Sequence, residues 1–90
     1  MSNRVIKIHK AQIPVAMSDS AVSLVTEAMG KFTIEKDMAT FVKKKCDEQF
    51  GGTWHCVVGH NFGCSITHDT KFVLFFQVDL THILLFKSLD

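Results

Sequence analysis

The hydrophobic period of this chain changes at Gly51-Gly52, and that change limits the folds open to it. Ahead of the two glycines, Ile34, Met38, Val42, Cys46 and Phe50 recur every four residues, the ladder of one helix face, and the glycines suit the end of that helix. Beyond them the pattern is extended: Trp54 to Val58, Phe62 to Thr67, Phe72 to Val78 and His82 to Phe86 read as four strands. Gly59-His60-Asn61, His68-Asp69-Thr70-Lys71 and Asp79-Leu80-Thr81 are the breaks. The last two strands are nearly continuously apolar, so both of their faces need cover, by helices on one side and by something such as a second subunit on the other.

Upstream, Val5, Ile6 and Ile8 among Arg4, Lys7 and His9 read as a short, basic edge strand. Pro14 suits the first turn of a helix and Gly30 the position after its end. Between them two adjoining ladders, Val15, Val22, Val25, Met29 and Met17, Ala21, Leu24, Ala28, predict a wide buried stripe, with Asp19, Ser20, Ser23 and Glu27 opposite. Thr33 is placed to cap the second helix, with Glu35 and Asp37 at its positive end. The order βααββββ lacks alternating βαβ units and predicts a single α+β domain over 1–90, two helices packed on an antiparallel sheet.

A chain of 90 residues buries a modest fraction of its surface, so help from an oligomer is expected. Hydrophobic residues reach 47%, and part of that excess is expected to line an interface. A net charge of +1 with interspersed signs lacks the basic stripe of a nucleic-acid binder, and Lys43-Lys44-Lys45 reads as a solvated helix face. Three cysteines without framework spacing and no leader peptide predict a reduced, cytosolic protein without disulfides. The longest apolar runs, Phe72 to Phe76 and Ile83 to Phe86, fall far short of the roughly 20 residues that span a bilayer, so no membrane insertion is expected.

Trp54 to His68 concentrates the reactive side chains, including His55, Cys56, His60, Cys64 and His68. A zinc site would need His60, Cys64 and His68 to converge, and residues four apart on a strand are about 13 Å apart. No Cys-x-x-Cys or His-Glu-x-x-His occurs, so no metal is expected. A Cys-His hydrolase would need Cys56 or Cys64 to meet a histidine beside an oxyanion hole; nothing in the pattern predicts that meeting, so no catalytic residue and no cofactor is assigned. Buried or interfacial cysteines are the better expectation. Gly63 and Ser65 thin out the strand over Phe62 to Thr67, which fits either a strand that another backbone approaches closely or a bulged or tightly packed core strand.

Thr53-Trp54-His55-Cys56-Val57-Val58-Gly59, Asn61-Phe62-Gly63, Thr67-His68, Thr70-Lys71, Ile83-Leu84-Leu85-Phe86-Lys87-Ser88 and Ile34-Glu35-Lys36-Asp37 together resemble the LC8-type dynein light chains, over essentially the whole chain from Val5. The resemblance implies a non-enzymatic homodimer of two-fold symmetry in which the strand over Phe62 to Thr67 is exchanged between subunits. Each of two grooves then lies between an exchanged strand and the second helix of the other subunit. Disordered client segments carrying Thr-Gln-Thr-like motifs, including dynein intermediate chains, would add there as a further strand. Two grooves favour bivalent clients and promote client dimerisation, because the second segment binds at high effective concentration. The implied location is cytoplasmic, on the cytoskeleton within a microtubule motor.

By the same resemblance the groove residues are Glu35, Lys36, Asn61, Phe62, Gly63, Cys64, Ser65, Ile66, Thr67, His68, Phe75 and Gln77. The dimer interface would hold Lys43, His55, Val57, Gly59, Phe62, Cys64, Thr67 and Ser88. An interfacial His55 is expected either to be buried and to loosen the dimer when protonated or to be a core histidine with no switch role, and a phosphate on Ser88 is expected to act at the same place; sedimentation of His55→Lys and Ser88→Glu proteins checks both. The chain departs from the family pattern at Ser65, Phe75 and Gln77, where tyrosine is usual. It also has His60 for arginine, Cys64 for serine and Asp79 for glycine. Lost aromatic surface alters client choice more than fold, so the alternative is a paralogue that dimerises but prefers other clients.

Overall fold

The structure is a computed structural model and describes residues 4–60 and 72–88. Its elements are β1 (Ile6–Gln12), α1 (Val15–Lys31), α2 (Glu35–Phe50), β2 (Trp54–Gly59), β3 (Val73–Val78) and β4 (Thr81–Lys87). The expected strand over Phe62 to Thr67, and with it any exchange between subunits, lies outside the described residues. The described strands form one antiparallel sheet in the order β1-β3-β4-β2, so the α+β architecture is as the sequence predicts.

Strand alternation sorts the sheet into two faces. Leu74, Phe76 and Val78 of β3, Ile83 and Leu85 of β4 and Trp54 of β2 join Ala21, Leu24, Val25 and Ala28 of α1 and Val42 and Cys46 of α2 in one core. Phe50 and Phe72 meet Trp54 edge-on, and the indole N–H donates to the Gly51 carbonyl at 3.0 Å. The opposite face carries Phe75, Gln77, His82 and Phe86, all partly exposed, and Val57, which is 43% exposed.

Three local expectations need correction. Gly30 lies inside α1, whose end is marked by the Phe32 N–H donating to the Ala28 carbonyl. Pro14 occupies the N-cap position rather than the first turn. Thr33 does not cap α2; Ile34 sits at the N-cap with no side-chain cap bond, and its carbonyl takes the Asp37 and Met38 N–H groups at 3.0 and 3.1 Å. Gly51 and Gly52 do end α2, with φ of 75° and 79° that glycine adopts at low cost. A Cβ on Gly52 would also collide with the Lys87 side chain.

The first strand is an edge, as read, but runs on to Gln12 with a register shift between Ile8 and Lys10. Its partner β3 turns into β4 through Asp79 and Leu80, so β4 begins at Thr81, one residue earlier than the pattern gave. Asp79 takes φ of 55°, the left-handed region that aspartate visits more readily than most residues. Its carboxylate accepts the Val5 N–H at 2.9 Å and lies 3.3 Å from the Arg4 guanidinium, and its own N–H donates to the Val5 carbonyl at 2.7 Å. Side chain and turn together tie the start of β1 to the sheet.

Candidate functional site

Among the described strands, the two sheet edges lie on β1 and β2. Along β2, opposite its pairing with β4, runs a groove of about 600 Å³ between the strand and α2. The helix contributes Lys36, Ala39, Thr40, Lys43 and Lys44, whose three- and four-residue spacing puts them on one face. The sheet contributes His55, Cys56, Val57 and Phe86. A strand edge presents backbone donors and acceptors at regular spacing, and among the described residues no strand occupies this one. An extended segment laid along this edge would therefore meet backbone polar groups on one side and the helix on the other.

At the head of the groove, Glu35 and Lys36 open α2, where the first amides of a helix have no intrahelical acceptor. Acidic Glu35 and Asp37 suit that end of the dipole. Glu35 accepts from His60 Nδ1–H at 2.9 Å, which ties the end of β2 to the helix start.

Lower down, His55 stacks on Phe86 at 5.1 Å between ring centres, and its Nε2 shares a hydrogen bond of 2.5 Å with Ser88 Oγ. His55 is exposed within the described chain, not buried as the family likeness led us to expect. Lys43 binds Asp47, which also accepts the Trp54 N–H at 2.7 Å. Those bonds, the Lys43 bond first, hold the Asp47 carboxyl below the usual carboxylate range.

Of the residues assigned from sequence, Lys36, Lys43, His55 and Val57 thus line one groove, Glu35 stands at its head, and Ser88 is bound to His55. Gly59 closes β2 opposite His82. Phe75 and Gln77 lie elsewhere, towards β1 on the helix-free face. Asn61, Phe62, Gly63, Cys64, Ser65, Ile66, Thr67 and His68 lie outside the described residues. Sequence reasoning missed His9 and His82, which pack beside Phe75; their signal was an imidazole at each of two strand positions flanking an apolar run.

The thiols bear on the enzymatic alternative. Burial, with a contribution from Asp47, pushes Cys46 up to about 11, and burial, with a contribution from Cys46, pushes Cys56 up to about 12. A nucleophilic cysteine needs the opposite shift, so neither thiol is activated.

A family model for dynein light chain type 1 matches residues 5–88. The chain belongs to the dynein light chain family. Solved structures agree on the fold. The dynein light chain-like domain of the Fasciola hepatica calcium binding protein FhCaBP2 superposes with a TM-score of 0.84 at 18% identity, over 97% of this chain and 94% of that one. A mercury derivative of the same domain gives 0.81 at 19%, covering 94% and 93%. The dynein light chain-like domain of CsTAL3 gives 0.79 at 14%, over 92% of each chain. In this dynein light chain the groove beside β2 is bounded by Ile34-Glu35-Lys36-Asp37 and Trp54-His55-Cys56-Val57-Val58-Gly59, two of the segments that carried the family resemblance. No helix among the described residues is long and apolar enough to cross a membrane.

Proposed function

We propose that this dynein light chain is a non-catalytic homodimeric hub that captures short extended segments of partner proteins by strand addition and holds two such partners together. The groove along the edge of β2 carries the reading: it joins a strand edge that no described strand occupies, apolar side chains at Val57 and Phe86 beside that edge, and the amide-bearing start of α2. A second copy is part of the proposal, with the strand over Phe62 to Thr67 of one subunit entering the groove of the other and presenting its outer edge to the client. Exposed Val57 on the helix-free face supports a covered surface there. Clients of this class include dynein intermediate chains carrying Thr-Gln-Thr-like motifs, which would place the protein on cytoplasmic microtubule motors. The glutamine oxygen of such a motif fits the amides at Glu35 and Lys36.

Calorimetric titration with a Thr-Gln-Thr peptide tests the proposal. One peptide per subunit is the expected stoichiometry; absence of both heat and competition would overturn it. One observation favours altered client preference within the same mechanism. Gln77, where the family has tyrosine, donates to the Asp79 carbonyl at 2.6 Å and accepts from His9, so it supplies fixed polar groups in place of an aromatic surface.

A further inference from the structure

Lys36, Lys43 and Lys44 line the groove from α2, and no carboxylate is among the described residues that line it with them. The ion pairs among the described residues are Arg4–Asp79, Lys31–Glu27, Lys43–Asp47 and His60–Glu35. Lys43 is thus engaged, while Lys36 and Lys44, both exposed, border the groove with no carboxylate partner among the described residues. Lys45 stands apart, its ammonium 5.8 Å from the centre of the Phe41 ring. The strand that the proposed dimer brings into the groove leaves this balance as it is, since Phe62-Gly63-Cys64-Ser65-Ile66-Thr67 carries no charged side chain.

Two ties fix how the helix lies along the strand. His60 donates to Glu35 at the head of the groove, and the Trp54 N–H donates to Asp47 at its foot. α2 therefore runs beside β2 in the opposite direction. The lengths agree: about 18 Å from Glu35 to Asp47 at about 1.5 Å per helical residue, and about 20 Å from Trp54 to His60 at about 3.3 Å per strand residue. A segment that pairs along this edge, or along a strand laid on it, keeps the same line and so runs beside the helix. Lys36 and Lys44 are about 12 Å apart along the helix axis, closest to the rise of four extended residues. Four is an even step, so side chains at i and i+4 of a strand point to the same side. The flexible lysine stems absorb the remaining mismatch of about 1 Å.

We infer that Lys36 and Lys44 together read a pair of Asp or Glu residues spaced i and i+4 in the bound segment, so that this chain selects acidic extended clients. The inference rests on the strand-addition reading and adds a charge pattern to it. Lys36, beside the helix start that receives the glutamine in that reading, meets a carboxylate next to the Thr-Gln-Thr core, and Lys44 meets one four residues further on. Position i+2 falls between them, beside Ala39 and Thr40, where a carboxylate finds no unpaired cation. A lysine ammonium is a point charge without a fixed donor fork, so the pattern accepts aspartate and glutamate alike.

The test uses the full chain and peptides that share a Thr-Gln-Thr core and carry Asp at positions four apart, Asp at positions three apart, or Asn in place of both. Each peptide is made with the pair before and after the core and titrated at pH 7.4. In one of the two placements the four-apart peptide should bind about three- to ten-fold tighter than the Asn peptide, the scale of two exposed ion pairs. The three-apart peptide should keep only about half of that gain in free energy, because one of its carboxylates faces away from the helix. Lys36→Gln and Lys44→Gln should each reduce the four-apart gain, whereas Lys31→Gln, which makes the same change in net charge away from the groove, should preserve it. Lys44→Glu should favour a peptide with Lys at the distant position. Equal affinities for the four-apart and Asn peptides in both placements would overturn the inference while leaving the groove reading intact. It also falls if the three-apart peptide gains as much, or if Lys44→Gln retains the full preference. Failure of all the peptides to bind would remove both the groove reading and the inference drawn from it.

Discussion

The two edges of the described sheet are finished in opposite ways. On β1, a register shift after Ile8, lysines at positions 7 and 10 and the Asp79 contacts make a poor template for another strand, the usual means by which proteins protect an edge. On β2, pairing runs in register from Trp54 to Gly59 against β4, and α2 stands back far enough to leave a groove. The lesson is that only one edge is kept as a template, and its rigidity comes from inside: Trp54 is fully buried at the root of the strand.

The sharpest way to break that contrast is Trp54→Ala, which removes the anchor of β2. A loss of about 3–5 kcal/mol is expected for a buried aromatic, read by urea denaturation, and a loss below about 1 kcal/mol would mean that the edge does not depend on this root. Gly52→Ala should follow at about 1–3 kcal/mol, because a side chain at φ of 79° is strained, whereas the end of the Lys87 side chain that its Cβ would meet can swing aside. On the other edge, Asp79→Ala should cost about 1–2 kcal/mol by losing both its tolerance of the left-handed turn and its bond to the Val5 N–H. Asp79→Gly should recover part of that loss, separating the turn from the tie.

Val57→Lys sharpens the comparison functionally. It should leave the fold within about 0.5 kcal/mol, because Val57 is exposed in the protomer, yet weaken self-association at least about ten-fold in sedimentation. A Val57→Lys protein that associates as tightly as the unaltered one would count against the covered face. The smallest expected effect is in acid. The folded-state pKa of Asp47 is depressed by Lys43 and the Trp54 N–H, so its contribution is present above the unfolded carboxylate value and is lost as pH falls through the lower folded one. Asp47→Asn should therefore flatten the acid limb of a melting-temperature profile below about pH 4, and an unchanged limb would show that this carboxylate is not the one responsible.

Much of this fold was legible in the sequence because it rests on periodicity. The Ile34 to Phe50 ladder and its diglycine stop located α2, and the extended, largely apolar runs around Trp54, Phe76 and Leu85 located strands of the sheet. Local chemistry misled where packing overrode it. Gly30 was taken as a helix end, yet the buried Ala28 below it and the Phe32 N–H bond carry α1 one residue past it. Thr33 was a good cap by type, but the chain enters α2 through extended Ile34 instead. The groove residues near α2 and β2 followed from family likeness, since nothing in spacing alone brings Lys43 to His55. The contact of His9 with His82 was invisible because it reaches across β3, which lies between β1 and β4, and only the assembled sheet order brings the two rings together.

Asp79 also has a kinetic meaning. Its bond to the Val5 N–H joins positions 74 residues apart, whereas the β3–β4 hairpin around it closes a two-residue turn. The hairpin can zip early from local contacts; the tie to β1 has to wait until nearly the whole chain has been drawn together. A contact made so late acts on the escape rate rather than on the arrival rate, so loss of the Asp79 carboxylate should shorten the lifetime of the folded protein and leave its refolding speed nearly untouched.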